Sequence, residues 1–159
     1  MTDQLSAFST VIKHNPNSTH IKLFYDQWKH ERLVVDKWFS TQVLTAHPDS
    51  LNKVVKNLTT HPDFTIKTPN RVRSVLGAFS ANTAGFHLET GENYKLFCDW
   101  ILKVDTVNPQ VGARMCSAFE TWKRYDPKRQ QLIKSQINRV LGAGSVSKDT
   151  REMLTRLIN

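Results

Sequence analysis

Helix-start signals punctuate this chain at short intervals and limit it to a fold of short helices. At Asn108-Pro109 and again at Asp126-Pro127, a side chain able to accept from free backbone amides precedes a proline. Proline suits the first helical position, because the N–H it lacks would have no partner there. His47-Pro48-Asp49-Ser50 breaks one apolar pattern and opens the next, which His61-Pro62 ends. Between these signals the apolar residues recur three and four apart. Leu5, Phe8, Val11 and Ile12 mark a first helix, closed by Asn15-Pro16-Asn17. Ser18 can cap a second, with Ile21, Phe24, Tyr25 and Trp28, and Val34, Val35, Trp38, Phe39 and Val43 form the inner face of a third. Leu51, Val54, Val55 and Leu58 make a fourth. Tyr94, Phe97, Cys98, Ile101, Leu102 and Val104 give a strong apolar face, and the helix from Pro109 runs through Val111, Met115, Ala118, Phe119 and Trp122. The helix from Pro127 ends at Gly142-Ala143-Gly144, and Ser147 or Asp149 caps a terminal one.

No segment alternates with the period of a strand, so the chain is predicted to be all-α, with about nine helices. Tight turns between short helices favour stacked antiparallel helix pairs, a superhelical array of the armadillo or HEAT kind. No clean repeat near the roughly 40-residue period of such arrays is present, which keeps an irregular bundle as the competing arrangement.

One helix among these breaks local rules. In residues 68–87, Pro69 imposes an extended approach, Asn70 is placed to cap, and Val72, Val75, Leu76 and Phe79 define an apolar face. Yet Arg71 and Arg73 occupy the first turn, where the helix dipole disfavours cations. Gly77 lies mid-helix, where it costs about 1 kcal/mol against alanine. Such departures point to a partner outside the helix.

Lys and Arg number 22 against 14 Asp and Glu, a formal net charge of +8, but the charges are dispersed along helices and form no nucleic-acid motif. Neither nucleic acid nor membrane is therefore an expected partner. No apolar run approaches the roughly 18 residues of a membrane helix, and Met1-Thr2-Asp3-Gln4-Leu5 lacks the pattern of a signal peptide. A cytoplasmic location is the expectation. Cys98 and Cys116 sit within helical patterns without CxxC spacing, which favours buried thiols; pairing in an oxidising compartment is the alternative.

Catalytic patterns fail on inspection. His30-Glu31 opens like a zinc-peptidase helix, but the second His would stand at position 34, which is Val34. The six histidines are scattered, and no glycine-rich phosphate loop is present. Trp28, Trp38, Trp100 and Trp122 read as core anchors.

Five blocks nevertheless stand together: Val35-Asp36-Lys37-Trp38-Phe39; Pro69-Asn70-Arg71-Val72-Arg73-Ser74-Val75-Leu76-Gly77-Ala78-Phe79; Phe86-His87; Asn108-Pro109-Gln110-Val111; and Lys123-Arg124-Tyr125-Asp126-Pro127-Lys128-Arg129-Gln130. In this order and spacing the chain resembles the C-terminal domain of bacterial aminopeptidase N, a family of zinc-dependent metallopeptidases of the gluzincin type. The resemblance covers essentially the whole chain. It implies a single helical domain, 1–159, packed over a thermolysin-like catalytic domain and enclosing the active site in a cavity. The zinc motif, its downstream Glu ligand and the Gly-Ala-Met-Glu-Asn loop of that family are absent from this sequence. By resemblance, zinc and catalysis belong to a domain this chain lacks, and the chain alone is expected to hydrolyse nothing. The implied partners are the remainder of the aminopeptidase and its peptide substrate.

The resemblance also implies that Arg73 and Arg114 line the cavity and bind substrate, a task suited to the guanidinium fork. The alternative for each is an ordinary ion pair with a nearby acid. Arg71 is expected to meet a local carboxylate, and Gly77 to permit close helix packing. Lys123, Arg124, Lys128 and Arg129 are expected in solvent or at a domain interface. From a different class, the competing function is a free-standing helical-repeat scaffold that binds a protein or nucleic acid.

Overall fold

The start signals translate into observed caps. In the computed structural model, which describes residues 1–159, the Asn108 side chain accepts from the amide of Val111 at 3.2 Å. Asp126 accepts from Arg129 N–H at 3.1 Å, and Ser147 from Thr150 N–H at 3.2 Å. The Ser18 hydroxyl accepts from the amide of His20, and the ring of His47 from that of Asp49. Asn70 does not cap. It is the second residue of its helix, behind Pro69, and the cap position falls to Thr68, whose side chain makes no capping bond.

Ten helices result. They are α1 (Thr2–His14), α2 (His20–Trp28), α3 (Arg32–Thr45) and α4 (Leu51–Leu58). Helix α5 starts as Pro69–Val72, widens into a π turn over Arg73–Gly77 and resumes as Ala78–Ala81. Next come α6 (Thr83–Phe86), α7 (Glu92–Val107), α8 (Pro109–Met115), α9 (Pro127–Leu141) and α10 (Lys148–Ile158). The tenth is α6, a single turn that Asn82 nucleates by accepting from Gly85 N–H while its amide donates to the carbonyls of Val43 and Ala46. The helix expected to run from Pro109 to Trp122 ends as an α-helix at Met115 and tightens into 3₁₀ turns, Cys116–Phe119 and Trp122–Arg124. The break sends its two aromatics to different neighbours. Phe119 joins Phe86 and Phe97 at 5.9 and 5.8 Å, and the Trp122 indole donates to the carbonyl of Leu157.

Consecutive helices pack as pairs: α1 on α2, α3 on α4, α7 on α8 and α9 on α10. Across the pairs, α3 lies against α5 and α10 against α8, so the chain is a superhelical stack of helices without strands. Its 29 buried apolar residues form one continuous core, in which Phe39, Phe79, Phe86, Phe97 and Phe119 are fully buried. Trp38 and Trp122 belong to it, while Trp28 and Trp100 are half-buried at its edge.

Two glycines permit backbone contact. A Cβ at Gly112 would lie 3.0 Å from the Cα of Asp105, and one at Gly85 would lie 3.2 Å from the Cα of Pro48 and 2.6 Å from a Leu51 methyl. Gly77 is not of this kind. A Cβ there would meet only the Arg73 side chain, at 3.7 Å, so the expectation of close helix packing at Gly77 fails.

Candidate functional site

Two arginines near the start of α5, separated by one residue, have different environments. Arg71 turns inward, its Nε 3.0 Å from an Asp36 carboxylate oxygen on α3 and its guanidinium 4.8 Å from the centre of the Phe39 ring. That is the local carboxylate partner expected for it. The contact is too bent for a good hydrogen bond, and the Nη1 group of Arg71 has no partner. Arg73, two residues on, is exposed.

Arg73 opens onto a groove of about 300 Å³ between α5 and α8. Pro69, Arg73, Gly77 and Ser80 form one wall, at the three- and four-residue spacing of one helix face. Val111, Arg114, Met115 and Ala118 form the other with the same spacing, and Val72 and Phe97 make an apolar floor. Arg114 is exposed, like Arg73. No ion pair of the chain involves either arginine. Two candidate residues 41 positions apart in sequence are thus brought to one groove with their guanidinium groups uncommitted. Such an arrangement can hold an anion in two forks while an apolar group rests on the floor. The π turn coincides with the segment from Arg73 to Gly77, and wide turns of this type are frequent at functional sites. Gly77, Ser80 and the floor residues were not legible as site residues, because a mid-helix glycine and a core valine carry no chemical signature of their own.

The charged turn after Trp122 is more structural than expected. Arg129 is half-buried, donating from Nε to the carbonyl of His87 at 2.6 Å and from Nη1 to Asp126 at 2.7 Å. His87 is buried, hydrogen-bonded through Nδ1 to the Tyr94 hydroxyl at 2.7 Å and stacked on Tyr125 at 3.9 Å. Burial, aided by the Arg129 charge, holds its imidazole down to about 4, and burial also raises the Tyr94 phenol. This cluster locks a turn.

Cys98 and Cys116 are free and buried, with both thiols pushed up to about 12 by burial, which suits packing and not nucleophilic chemistry. No three His, Cys, Asp or Glu side chains converge on a point that could hold a metal ion, so the residues present do not fit a zinc site. No helix is long and apolar enough to cross a membrane.

All 159 residues match the family described as "Domain of unknown function (DUF3458_C) ARM repeats". Over 99% of its length the chain is 34% identical to aminopeptidase N of Caulobacter vibrioides and 33% identical to that of Escherichia coli, in each case spanning 18% of the relative. The chain superimposes with a TM-score of 0.92 and 34% identity on aminopeptidase A of Legionella pneumophila, solved in complex with aspartic acid, covering 99% of this chain and 19% of that one. The chain therefore amounts to less than a fifth of the aminopeptidases it matches. An all-helical stack, a full-length family match and this identity agree: the chain belongs to the ARM-repeat family that forms the C-terminal domain of aminopeptidase N.

Proposed function

We propose that this domain caps the active site of a zinc-dependent aminopeptidase, and that Arg73 and Arg114 bind the peptide beyond its first residue. The observation that carries the reading is that two exposed arginines without ion pairs line one groove with an apolar floor. A free arginine fork matches a C-terminal carboxylate or a peptide carbonyl, and an apolar floor accepts a side chain. Zinc, where the whole enzyme holds it, would polarise the scissile carbonyl and activate water from residues outside this chain. This domain contributes enclosure and positive charge, which attracts anionic peptide termini and weakens with added salt. Its other partner is the remainder of the aminopeptidase, for which exposed Leu23 and Leu33 offer apolar contact area. The setting is cytoplasmic.

The test uses the complete aminopeptidase that carries this domain. Arg73→Ala and Arg114→Ala should each raise KM for tri- and tetrapeptides about tenfold, the loss of one charge-assisted contact. Turnover of an aminoacyl anilide, too short to reach the groove, should be unchanged. Equal peptide KM values in wild type and both variants would sink the reading.

A further inference from the structure

The groove holds one residue that the fold itself does not require. Gly77 has ordinary helical angles, φ −65° and ψ −44°, so no left-handed conformation demands glycine. An added Cβ would touch only Arg73 Cβ and Cγ, at 3.7 and 3.9 Å, and no atom of another helix. In a helix interior an alanine at such a position is favoured over glycine, both by helix propensity and by the entropy of the unfolded chain. Local stability thus argues against the residue that is present, and close packing does not argue for it.

The groove does. Gly77 lies one helical turn after Arg73 and one before Ser80, on the wall that faces Arg114 and Met115. Its backbone is bare at the point where a side chain would project beside the Arg73 stem, and its carbonyl is occupied by the Ser80 hydroxyl at 3.0 Å. A bare Cα is where another backbone can approach closely. In a groove of about 300 Å³, even a methyl group removes a useful part of the width.

We infer that Gly77 sets the width of the groove, so that the main chain of a bound peptide lies against it while the terminal carboxylate is held between Arg73 and Arg114. This inference rests on the peptide-binding reading above and adds a specificity-determining residue to it. Peptides long enough to lie across Gly77 depend on it, and substrates of one residue plus a leaving group do not.

The experiment compares Gly77→Ala and Gly77→Leu with Arg73→Ala in the complete aminopeptidase. Thermal unfolding and KM are measured for an aminoacyl anilide and a tetrapeptide. Gly77→Ala should leave the unfolding temperature the same or higher, yet raise the tetrapeptide KM about threefold, and Gly77→Leu about tenfold or more. KM for the anilide should not move. A fall in unfolding temperature with Gly77→Ala would show that the fold needs this glycine, and would overturn the inference. If Arg73→Ala raises the tetrapeptide KM and both Gly77 variants leave it unchanged, the inference is wrong while the peptide-binding reading stands. If all three variants leave it unchanged, both fall together.

Discussion

Arg71 and Asp36 join α5 to α3 with Nε 3.0 Å from a carboxylate oxygen, both side chains largely shielded from water at 10% and 19% exposure. Arg73, two residues along the same helix, is exposed and makes no ion pair. The pair ties the start of α5 to α3, and Arg73 lies on the groove-lining face of the same helix. Removing Asp36 leaves a guanidinium shielded from solvent with neither counter-charge nor acceptor, at a cost of about 3 kcal/mol. Asp36→Ala should therefore lower the unfolding temperature by roughly 6–12 °C. A scanning calorimetry trace matching wild type would show that the pair contributes no net stability.

Gly112 and Asp105 mark a close contact between α7 and α8. Asp105 is buried and accepts from the Ser147 amide at 2.7 Å and from the Ser147 and Thr150 hydroxyls at 2.6 Å each. A methyl at position 112 would press on the backbone of the residue that anchors α10. Gly112→Ala should cost about 2 kcal/mol, measured by urea unfolding, although the same substitution is favourable in an unconstrained helix. Asp105→Ala should be at least as damaging, because three donors lose one acceptor.

Acid should loosen the turn that Arg129 and His87 hold. The ordinary histidine value of 6.5 falls to about 4 at His87, first through burial and then through the Arg129 charge. Between these two values the unfolded chain binds a proton that the folded chain does not. The stabilising contribution is therefore complete above pH 6.5 and is lost progressively as pH falls from 6.5 to about 4. The loss amounts to about 3 kcal/mol at one site. His87→Asn should flatten the decline of unfolding temperature between neutral and acid pH, and an unaltered slope would assign the acid sensitivity elsewhere.

The two thiols should be silent in the native protein. With both pushed up to about 12 by burial, the thiolate is scarce at pH 8 and has no route to reagent. Iodoacetamide should label Cys98 and Cys116 only at the rate of unfolding, followed by mass spectrometry with and without denaturant. Rapid labelling without denaturant would contradict the burial of these side chains.

Much of the fold was legible because its signals are local. Caps at Asn108, Asp126 and Ser147 act within three residues of themselves, and an apolar stripe on one helix needs no knowledge of its neighbour. Local signals fell short where a side chain serves two distant elements. Asn82 caps α6 while closing the end of α3, which is how a tenth helix separates from the stretch 68–87 that was expected to form one helix. Asn70 was misplaced by one turn chemistry competing with another, since Pro69 claims the first helical position and shifts the cap to Thr68. For the candidate site, the resemblance singled out Arg73 and Arg114, but nothing in their spacing says that they line one groove.

The sequence by itself determined an all-helical chain, the beginnings of most of its helices, the composition of its core and its membership of the aminopeptidase N family. These follow from propensity, period and ordered motifs, all of which are read along the chain. Only the tertiary structure decided that Arg71 turns inward to Asp36 while Arg73 and Arg114 share a groove, and that Gly112 serves packing while Gly77 does not. Those outcomes depend on which helix lies against which, and such contacts are selected by the fit of whole faces, not by any residue's own preference.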